Sequence, residues 1–404
     1  MSGHISPAYI VAAFRTPVGK YGGVLRSVRP DDLAAIVIGA VVDRTRIDPA
    51  KVDEVILGCA NQAGEDNRNV ARMAVLLAGF PYSVPAYTVN RLCGSSLEAV
   101  NSAARMIWAG DAECVIAGGA ESMSRAPYAL AKNTTGETVY GNLSAYDTAL
   151  GWRFPNPKLA ARFPLESMGE TAENLAEKYK IRRDEQDSFA LESHRRAIVA
   201  QDDGKFADEI VPVNIMEHKG EGMRVTHDEG PRRDTNLEKM SKLKPSFRSA
   251  GTVTAGNSSG LNDGAAALLL CSESFVKANG LTPMGQIVSS GTAGVDPRYM
   301  GIGPVPATQK ALEKAKLKLE KIGLIELNEA FAAQSLAVIR DIGFDREITN
   351  VNGGAIALGH PLGASGARIL TTLVHEMKRS KTEFGLATMC VGVGQGISTI
   401  IRLT

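Results

Sequence analysis

The sequence predicts an α/β protein built from two similar halves, with a longer segment inserted into the first half. Short apolar runs typical of buried strands alternate with helical patterns along most of the 404 residues. This alternation favours parallel sheets covered by helices on both faces. An internal repeat supports two halves, because the separations 93 − 61 (Asn61 to Cys93) and 360 − 328 (Asn328 to His360) are both 32 positions. Residues 125–250 interrupt the alternation with polar loops and turns.

These observations divide the chain into three parts. Residues 1–124 plus 251–276 are expected to form the N-terminal half, residues 277–404 the C-terminal half, and residues 125–250 an inserted loop domain. In the first half, apolar runs predict strands at 8–14, 55–59, 85–90 and 114–124. Helical spacing predicts helices at 31–44, capped by Asp31, at 70–78, and from Gly94 or Ser95 onward.

The same patterns continue through the rest of the chain. The inserted segment contains two amphipathic helical patterns, at 171–179 and 184–201. Residues 251–270 are expected to form a glycine-rich turn that leads into a small-residue helix and a strand. In the second half, strands are predicted at 285–295, 323–327, 346–351 and 385–390, and helices at 307–315, 330–341 and 367–378.

Composition limits the functional classes. The chain has 45 basic and 44 acidic residues, a net charge of +1, which gives no electrostatic reason to expect nucleic acid or an anionic membrane as partner. The five cysteines lack CxxC spacing and therefore predict neither disulfides nor a metal site. No secretory signal or membrane-spanning apolar run is present. A cytoplasmic protein is expected.

The stretch 350–366 contains one histidine, His360, among glycines and small apolar residues. Glycine lets the backbone approach a ligand closely, so this stretch favours a functional site. A Walker-type phosphate loop is excluded because no Lys-Ser/Thr pair follows Gly366. A histidine that merely fills the core remains the alternative.

Cys93 lies between a predicted strand and a predicted helix. A thiol at a helix N-terminus is exposed to the positive end of the helix dipole, which is expected to lower its pKa. We therefore interpret Cys93 as a nucleophile, with a buried structural cysteine as the alternative.

Because ligands of open α/β sheets bind at the carboxyl ends of strands, the repeat is expected to bring Cys93, Asn328, His360 and Cys390 to one cleft. His360 could accept the proton of Cys93, and Cys390 could move a proton at a carbon beside a thioester. Backbone N–H groups of Cys93 and Gly392 could stabilise one oxyanion, and Asn328 with His360 an enolate oxygen. A hydrolase needs no second thiol, so the set indicates carbon–carbon bond chemistry.

Six motifs, in this order, resemble those of the thiolase family over essentially the whole chain. They are NRLCGSS at 90–96, GGAESMS at 118–124, GNSSGLNDGAA at 256–266, NEAFA at 328–332, GGAIALGHPLGASG at 353–366 and CVGVGQG at 390–396. The resemblance implies a thiolase-like fold of layered αβαβα halves. It implies that Cys93 carries the acyl group, His360 is its base, Cys390 is the acid/base at the α-carbon, and Asn328 orients a water.

The resemblance also implies that coenzyme A and acyl-CoA are the ligands, with coenzyme A as co-substrate rather than permanent cofactor, no metal, and a homodimer or homotetramer. The inserted domain would hold coenzyme A, with Arg232 near the nucleotide phosphates. The positions that match the pantetheine tunnel are Met168, Leu243, Phe247, Ser258, Ser259, Met300 and Phe331.

Three residues depart from the family pattern: Ser96 and Val393 stand where glycine is usual, and Ser167 stands where acetoacetyl-specific members often carry histidine. The cluster GWRFPNP at 151–157 resembles thiolases that act on β-ketoadipyl-CoA. A decarboxylating ketoacyl synthase is disfavoured because Cys390 stands in place of a second histidine. A non-catalytic acyl-CoA or lipid carrier would be expected to lose Cys93 or His360.

Overall fold

The order of helices and strands repeats once along the chain in a computed structural model, which describes residues 6–132, 141–216 and 222–404. The first half contains β1 (Ala8–Arg15), β2 (Gly19–Lys20), α1 (Pro30–Thr45), β3 (Glu54–Gly58), α2 (Val70–Leu77), β4 (Ala86–Val89), α3 (Ser95–Ala109) and β5 (Cys114–Ser122). The segment that follows carries β6 (Tyr128–Leu130), β7 (Ala145–Asp147), α4 (Pro157–Ala160), α5 (Met168–Lys178), α6 (Arg183–Asp202), β8 (Val213–Met216), β9 (Gly222–Val225) and α7 (Leu237–Ser241).

The chain then adds β10 (Asn262–Ser272) and α8 (Glu273–Ala278) to the first half. The second half contains β11 (Gly285–Gly294), α9 (Pro304–Ala315), β12 (Leu324–Leu327), α10 (Ala332–Ile342), α11 (Ala355–Leu358), α12 (Ser365–Ser380), β13 (Phe384–Val391) and β14 (Gln395–Leu403). Within the described ranges, no helix is both long and apolar enough to cross a membrane.

The main sheet joins the two halves at its centre, where β1 pairs with β11 in antiparallel orientation. Outward from this pair the order is β1-β10-β5-β3-β4 on one side and β11-β14-β13-β12 on the other. The first four strands on each side follow the same arrangement, which confirms the two similar halves, and β4 is an additional edge strand of the first half. The expected parallel sheets are wrong in part. Among the described strands only the pairs β3–β4, β3–β5 and β12–β13 are parallel, because β10 and β14 insert as antiparallel return strands.

Helices α3 and α12 pack against each other between the two sides of the sheet, while α1 and α2 cover one outer face and α9 and α10 the other. Small residues permit the central packing: a Cβ atom at Gly366 would lie 2.5 Å from the backbone N of Leu97. The N-termini of α3 and α12 therefore meet near the middle of the molecule. Cys93 and His360 lie just before these two helices.

Three local predictions are wrong. The N-cap of α1 is Arg29, and Asp31 lies inside the first turn, where its carboxylate accepts from the Arg29 guanidinium at 2.9 Å. No small-residue helix follows residue 251, because the alanines of that run are buried in β10, and short apolar runs do not distinguish buried helix from buried strand. Residues 346–351 form no strand and contribute only a bridge between Ile325 and Thr349.

Candidate active site

The turn that carries Cys93 is held by the first residue of α3. Ser95 Oγ donates to the carbonyl of Leu92 at 2.6 Å and accepts from the N–H of Arg91 at 2.9 Å. Leu92 has φ of +47°, a left-handed conformation that costs free energy for a residue with a Cβ atom. Such backbone strain is typical of functional sites. The turn leaves Cys93 half-buried at the start of the helix, as the sequence predicts.

The thiol of Cys93 is less acidic than the helix-dipole argument predicts. Burial raises its pKa to about 11, although the N–H groups of Gly392 and of Cys93 itself act in the opposite direction. The expected low pKa is therefore wrong for the free protein, because loss of water around the sulfur outweighs two hydrogen bonds to it. The bond from Gly392 also places the predicted second oxyanion donor beside the predicted nucleophile.

We expect alkylation of Cys93 by iodoacetamide in the free protein to accelerate about tenfold per pH unit between pH 7 and 10, because only the thiolate reacts. The raised pKa leaves the thiolate a small fraction at neutral pH. The measurement is the rate of labelling by peptide mass spectrometry, with Cys93→Ser as control. A rate that reaches its plateau below pH 8 would contradict the raised pKa.

His360 is fixed in one tautomer by a serine that the sequence analysis did not single out. Ser365 Oγ donates to the carbonyl of Pro361 at 2.8 Å and lies 2.6 Å from His360 Nδ1. A hydroxyl has one hydrogen, so Nδ1 must donate to Oγ. The lone pair of His360 is then on Nε2, where a base that deprotonates a thiol requires it.

The environment of His360 keeps the ring neutral. Burial lowers the pKa of His360 to about 3, and the guanidinium of Arg368 adds to the effect. The backbone N–H of His360 donates to Asn262 Oδ1 at 2.8 Å, and Asn262 Nδ2 donates to the carbonyl of Gly19 at 2.9 Å. The loop is thereby anchored to the first half, and the imidazole is able to accept a proton at any pH above about 3.

Asn328 lies between His360 and the strand that carries Cys390. Its Nδ2 is 3.4 Å from His360 Nε2, and its backbone N–H donates to the carbonyl of Thr388 at 3.0 Å. Its Oδ1 is buried and has no hydrogen-bond partner in the described part of the chain. A buried amide oxygen without a partner suits a site that a water or substrate group completes.

Cys390 is buried near the end of β13. Burial raises the pKa of its thiol well above the ordinary range, and the neighbouring Cys93 thiol raises it further. The two predicted catalytic thiols are therefore close enough to interact. Gly392, two residues after Cys390, donates its N–H to Cys93, and Asn328 links the strand of Cys390 to His360.

Two of the unusual residues have visible structural consequences. Val393 has φ of +61°, a conformation in which a β-branched residue is strained and which glycine adopts freely. Ser96 Oγ accepts from the N–H of Ala367 at 2.9 Å. This N–H belongs to the first turn of α12 and has no partner within the helix, so the Ser96 side chain caps a helix of the opposite half. The third, Ser167, forms a capping box with Glu170 at the start of α5.

Glu121 links the two halves beside the site and was missed by the sequence analysis. Its carboxylate accepts from the N–H groups of Ala60, Asn61 and Gly363, at 2.9, 3.2 and 2.8 Å. Gly363 lies in the His360 loop, so one carboxylate joins that loop to the end of β3. Burial raises the pKa of Glu121, and the three N–H bonds oppose this. The sequence signal for this role was weak: Glu121 is a glutamate in the glycine-rich end of a predicted strand.

The predicted coenzyme A residues fall into two groups. Arg232, Leu243 and Ser258 line a cleft of about 350 Å³ that also exposes Lys20 and Lys239. Met168, Met300 and Phe331 pack with Cys390 in one apolar cluster, and the rings of Phe247 and Phe331 meet edge to face at 6.1 Å. Ser259 Oγ donates to the carbonyl of Ala330 at 3.0 Å, next to Phe331.

His194 also lines this cleft, and no sequence pattern pointed to it. Its Nδ1 accepts from the backbone N–H of Arg232 at 3.1 Å. Burial lowers the pKa of His194 to about 4, and Arg232 and Lys20 contribute. The ring is therefore neutral at neutral pH and positions Arg232 without competing for an anion.

Comparisons with known proteins show which family the chain belongs to. The family model for the thiolase N-terminal domain matches residues 8–274, and that for the thiolase C-terminal domain matches residues 281–403. A β-ketoadipyl-CoA thiolase of Escherichia coli is 55% identical over 398 residues, 98% of this chain and 99% of that protein. The crystal structure of the Bacillus anthracis acetyl-CoA acetyltransferase superposes with a TM-score of 0.94 at 46% identity, with all of both chains covered.

A third comparison concerns coenzyme A. The crystal structure of human mitochondrial 3-ketoacyl-CoA thiolase in complex with CoA superposes with a TM-score of 0.92 at 43% identity, covering 99% of this chain and 98% of that chain. The first family model includes Cys93 and the second includes His360, and the three likenesses extend over nearly the whole chain. The chain belongs to the thiolase family and is an acyltransferase that uses coenzyme A as co-substrate.

Proposed function

We propose that this thiolase cleaves 3-oxoadipyl-CoA with coenzyme A to acetyl-CoA and succinyl-CoA. The observation that carries the reaction type is the linked set of Cys93, Cys390 and His360: the N–H of Gly392, two residues after Cys390, donates to Cys93, and Asn328 joins the strand of Cys390 to the imidazole of His360. The substrate proposal is supported by the 55% identity to a β-ketoadipyl-CoA thiolase over nearly the full length of both chains.

In the first half-reaction, the sulfur of Cys93 attacks C3 of the substrate while His360 Nε2 takes the thiol proton. The bond between C2 and C3 breaks, and the electron pair left on C2 takes a proton from Cys390, releasing acetyl-CoA. The succinyl group remains on Cys93. In the second half-reaction, the thiol of coenzyme A gives its proton to the Cys390 thiolate and attacks this thioester. Succinyl-CoA leaves, and the sulfur of Cys93 takes back the proton held by His360.

The raised thiol pKa and lowered imidazole pKa bear on the timing of proton transfer. A free thiolate–imidazolium pair is unfavourable when the pKa of Cys93 is about 11 and that of His360 about 3. Transfer of the proton therefore accompanies attack on the carbonyl, where the N–H groups of Cys93 and Gly392 stabilise the developing oxyanion. The thiol stays unreactive until substrate arrives.

A substrate panel tests the proposed specificity. Steady-state kcat/KM for 3-oxoadipyl-CoA should exceed that for acetoacetyl-CoA and for straight-chain 3-ketoacyl-CoAs of six to ten carbons. A preference for acetoacetyl-CoA would refute the dicarboxylic substrate and leave the thiolase reaction intact. Loss of activity on every 3-ketoacyl-CoA would refute both.

The inserted segment, residues 125–250, is proposed to hold coenzyme A in the cleft described above. Arg232 is fixed by His194 at its backbone, and the structure describes no carboxylate paired with its guanidinium, so the charge is free to contact a phosphate. Lys20 adds positive charge to the same cleft, whereas Lys239 is paired there with Asp234 at 3.2 Å. A phosphate held by such groups forms charge-assisted hydrogen bonds.

Arg232→Ala should raise KM for coenzyme A about tenfold or more and leave kcat nearly unchanged, the pattern for loss of an interaction made equally in ground and transition states. The neighbouring Arg233 provides the control, because its exposed guanidinium pairs with Asp202 instead. Arg233→Ala should leave KM unchanged. An equal fall of kcat and kcat/KM in Arg232→Ala would contradict a purely binding role.

A homodimer is proposed through the free edge of β4. This strand ends the sheet and is only partly buried, and Tyr82 just before it is 87% exposed. An exposed edge strand with apolar neighbours favours pairing with a second chain. Analytical ultracentrifugation should give a mass at least twice the 42.8 kDa of one chain.

All five cysteines are free thiols, which supports a reducing compartment such as the cytoplasm.

A further inference from the structure

Arg153, like Arg232 in the cleft, has no acidic partner among the described residues. There its guanidinium donates to two backbone carbonyls, those of Thr148 at 3.2 Å and of Asn61. By contrast, Arg91, Arg125 and Arg298 pair with Glu98, Glu65 and Glu166. Among the described residues no carboxylate lies within 4.0 Å of Arg153, and the side chain is half-buried. Two carbonyls use two of its five N–H donors, so donors and a full positive charge remain for a ligand.

The position of Arg153 is tied to the turn that carries Cys93. Asn61, whose carbonyl holds the guanidinium, follows β3, and the carbonyl of the preceding Ala60 accepts from Asn90 Nδ2 at 3.1 Å. Asn90 Oδ1 in turn accepts from the N–H of Leu92, next to Cys93, at 2.8 Å. The guanidinium and the nucleophilic sulfur thus belong to neighbouring strand ends at the same edge of the sheet.

The internal repeat allows the contacts of Asn61 to be compared with those of Asn328. Asn61 is the first-half counterpart of Asn328, but its amide does not face an imidazole. It donates to Thr148 at the backbone carbonyl (3.0 Å) and at Oγ1 (3.3 Å), and its Oδ1 accepts from the N–H of Ala63 at 2.9 Å. In the proposed site, Asn328 orients groups at the reaction centre. Its counterpart Asn61 instead positions the segment that leads to Arg153.

The backbone around Arg153 is shaped for this placement. Gly151 has φ of +85° and Phe154 has φ of +48°, so left-handed residues lie on both sides of the Trp152–Arg153 pair. Trp152 Nε1 donates to the carbonyl of Glu166 at 3.1 Å, and the Phe154 ring packs on Tyr146 at 4.9 Å. In this turn the aromatic side chains of Trp152 and Phe154 contact protein, and the guanidinium of Arg153 lies at Asn61, after the end of β3.

We propose that Arg153 binds the terminal carboxylate of a dicarboxylic 3-oxoacyl-CoA and so sets the substrate class of the enzyme. The inference rests on the proposed thiolase function and specifies the site of its selectivity. In the acyl-enzyme left by 3-oxoadipyl-CoA, the carboxylate is three carbon–carbon bonds from the carbonyl bound to Cys93. A planar guanidinium offers two parallel N–H groups to such a carboxylate.

The test compares substrates that differ only at the far end. Arg153→Met should lower kcat/KM for 3-oxoadipyl-CoA about 10- to 100-fold, the effect of a lost hydrogen bond to a charged group. It should leave kcat/KM for 3-oxohexanoyl-CoA, of the same length without the carboxylate, within about threefold of wild type. Arg153→Lys should recover part of the loss. Arg162→Met is the matched control, because Arg162 is exposed on the same segment, and it should change neither substrate.

Each outcome bears on one of the two claims. A wild-type enzyme that cleaves 3-oxoadipyl-CoA efficiently, with Arg153→Met equally active on it, overturns the role of Arg153 and leaves the proposed function standing. Equal losses on both substrates overturn it as well, since they show that Arg153 only supports Asn61 and Thr148. A wild-type enzyme inactive on 3-oxoadipyl-CoA but active on 3-oxohexanoyl-CoA refutes the proposed substrate itself.

Discussion

Replacement of Cys93 by alanine is expected to abolish both half-reactions, whereas replacement of Cys390 by alanine is expected to abolish only one. No acyl-enzyme forms without the sulfur of Cys93. In the proposed mechanism, Cys390 is needed only where a proton moves at carbon. Cys390→Ala should therefore still exchange labelled coenzyme A into acetyl-CoA, while its cleavage of 3-ketoacyl-CoA falls about 10²–10⁴-fold, the usual contribution of a positioned acid.

The two assays are to be run on both variants, together with peptide mass spectrometry after incubation with acetyl-CoA. The acetyl group should be found on Cys93 in the wild type and in Cys390→Ala. Cys271, a buried thiol of β10 that lies beside Cys114 and away from the site, supplies the control: Cys271→Ala should retain both activities. If Cys390→Ala loses exchange as severely as cleavage while it remains folded, the assignment of acyl transfer to Cys93 and of proton transfer at carbon to Cys390 is wrong.

Asn328→Ala should lower kcat for cleavage about 10²–10³-fold, as removal of one oxyanion-stabilising donor does. Its Nδ2 beside His360 and its unpartnered, buried Oδ1 suit a group that holds a water or the enolate oxygen. Because the N–H groups of Cys93 and Gly392 serve acyl transfer, coenzyme A exchange should fall much less than cleavage.

Thermal unfolding of the Asn328 variant provides the structural control. Its side chain makes no hydrogen bond to the backbone in the described residues, so Tm should stay within a few degrees of wild type. A large fall in Tm, with cleavage and exchange reduced equally, would show that Asn328 maintains the fold of the site rather than contacting the reacting atoms.

The sequence predicted most of the architecture because two independent signals agreed. The spacing of 32 residues located the repeat, and the alternation of apolar runs located β3, β12 and their helices close to where they occur. The antiparallel return strands were missed. The alanine-rich sequence of β10 is compatible with either a buried helix or a buried strand. It forms a strand because it pairs with β1 on one side and β5 on the other.

Individual chemical environments were harder to predict than the positions of site residues. Cys93 lies at the helix start as predicted, yet its pKa is raised, because burial depends on packing from distant parts of the chain. Ser365 and Glu121 were missed for a related reason. Ser365 selects the tautomer of His360, and Glu121 joins Gly363 to the end of β3. Both roles depend on contacts in three dimensions that produce no pattern in the neighbouring sequence.

The central β1–β11 pair has a consequence for how the protein is made. β1 is among the first described residues to leave the ribosome, but Ala8 pairs with Ser272 on one side and Ile287 on the other. At about 5–20 residues per second, β1 waits roughly 13–50 s for its first neighbour. During synthesis β5 also has one unpaired edge, since β10 is its second neighbour. Nascent chains halted before residue 262 should therefore expose strand edges and depend on chaperones, while those that extend past residue 294 can pair β1 on both sides.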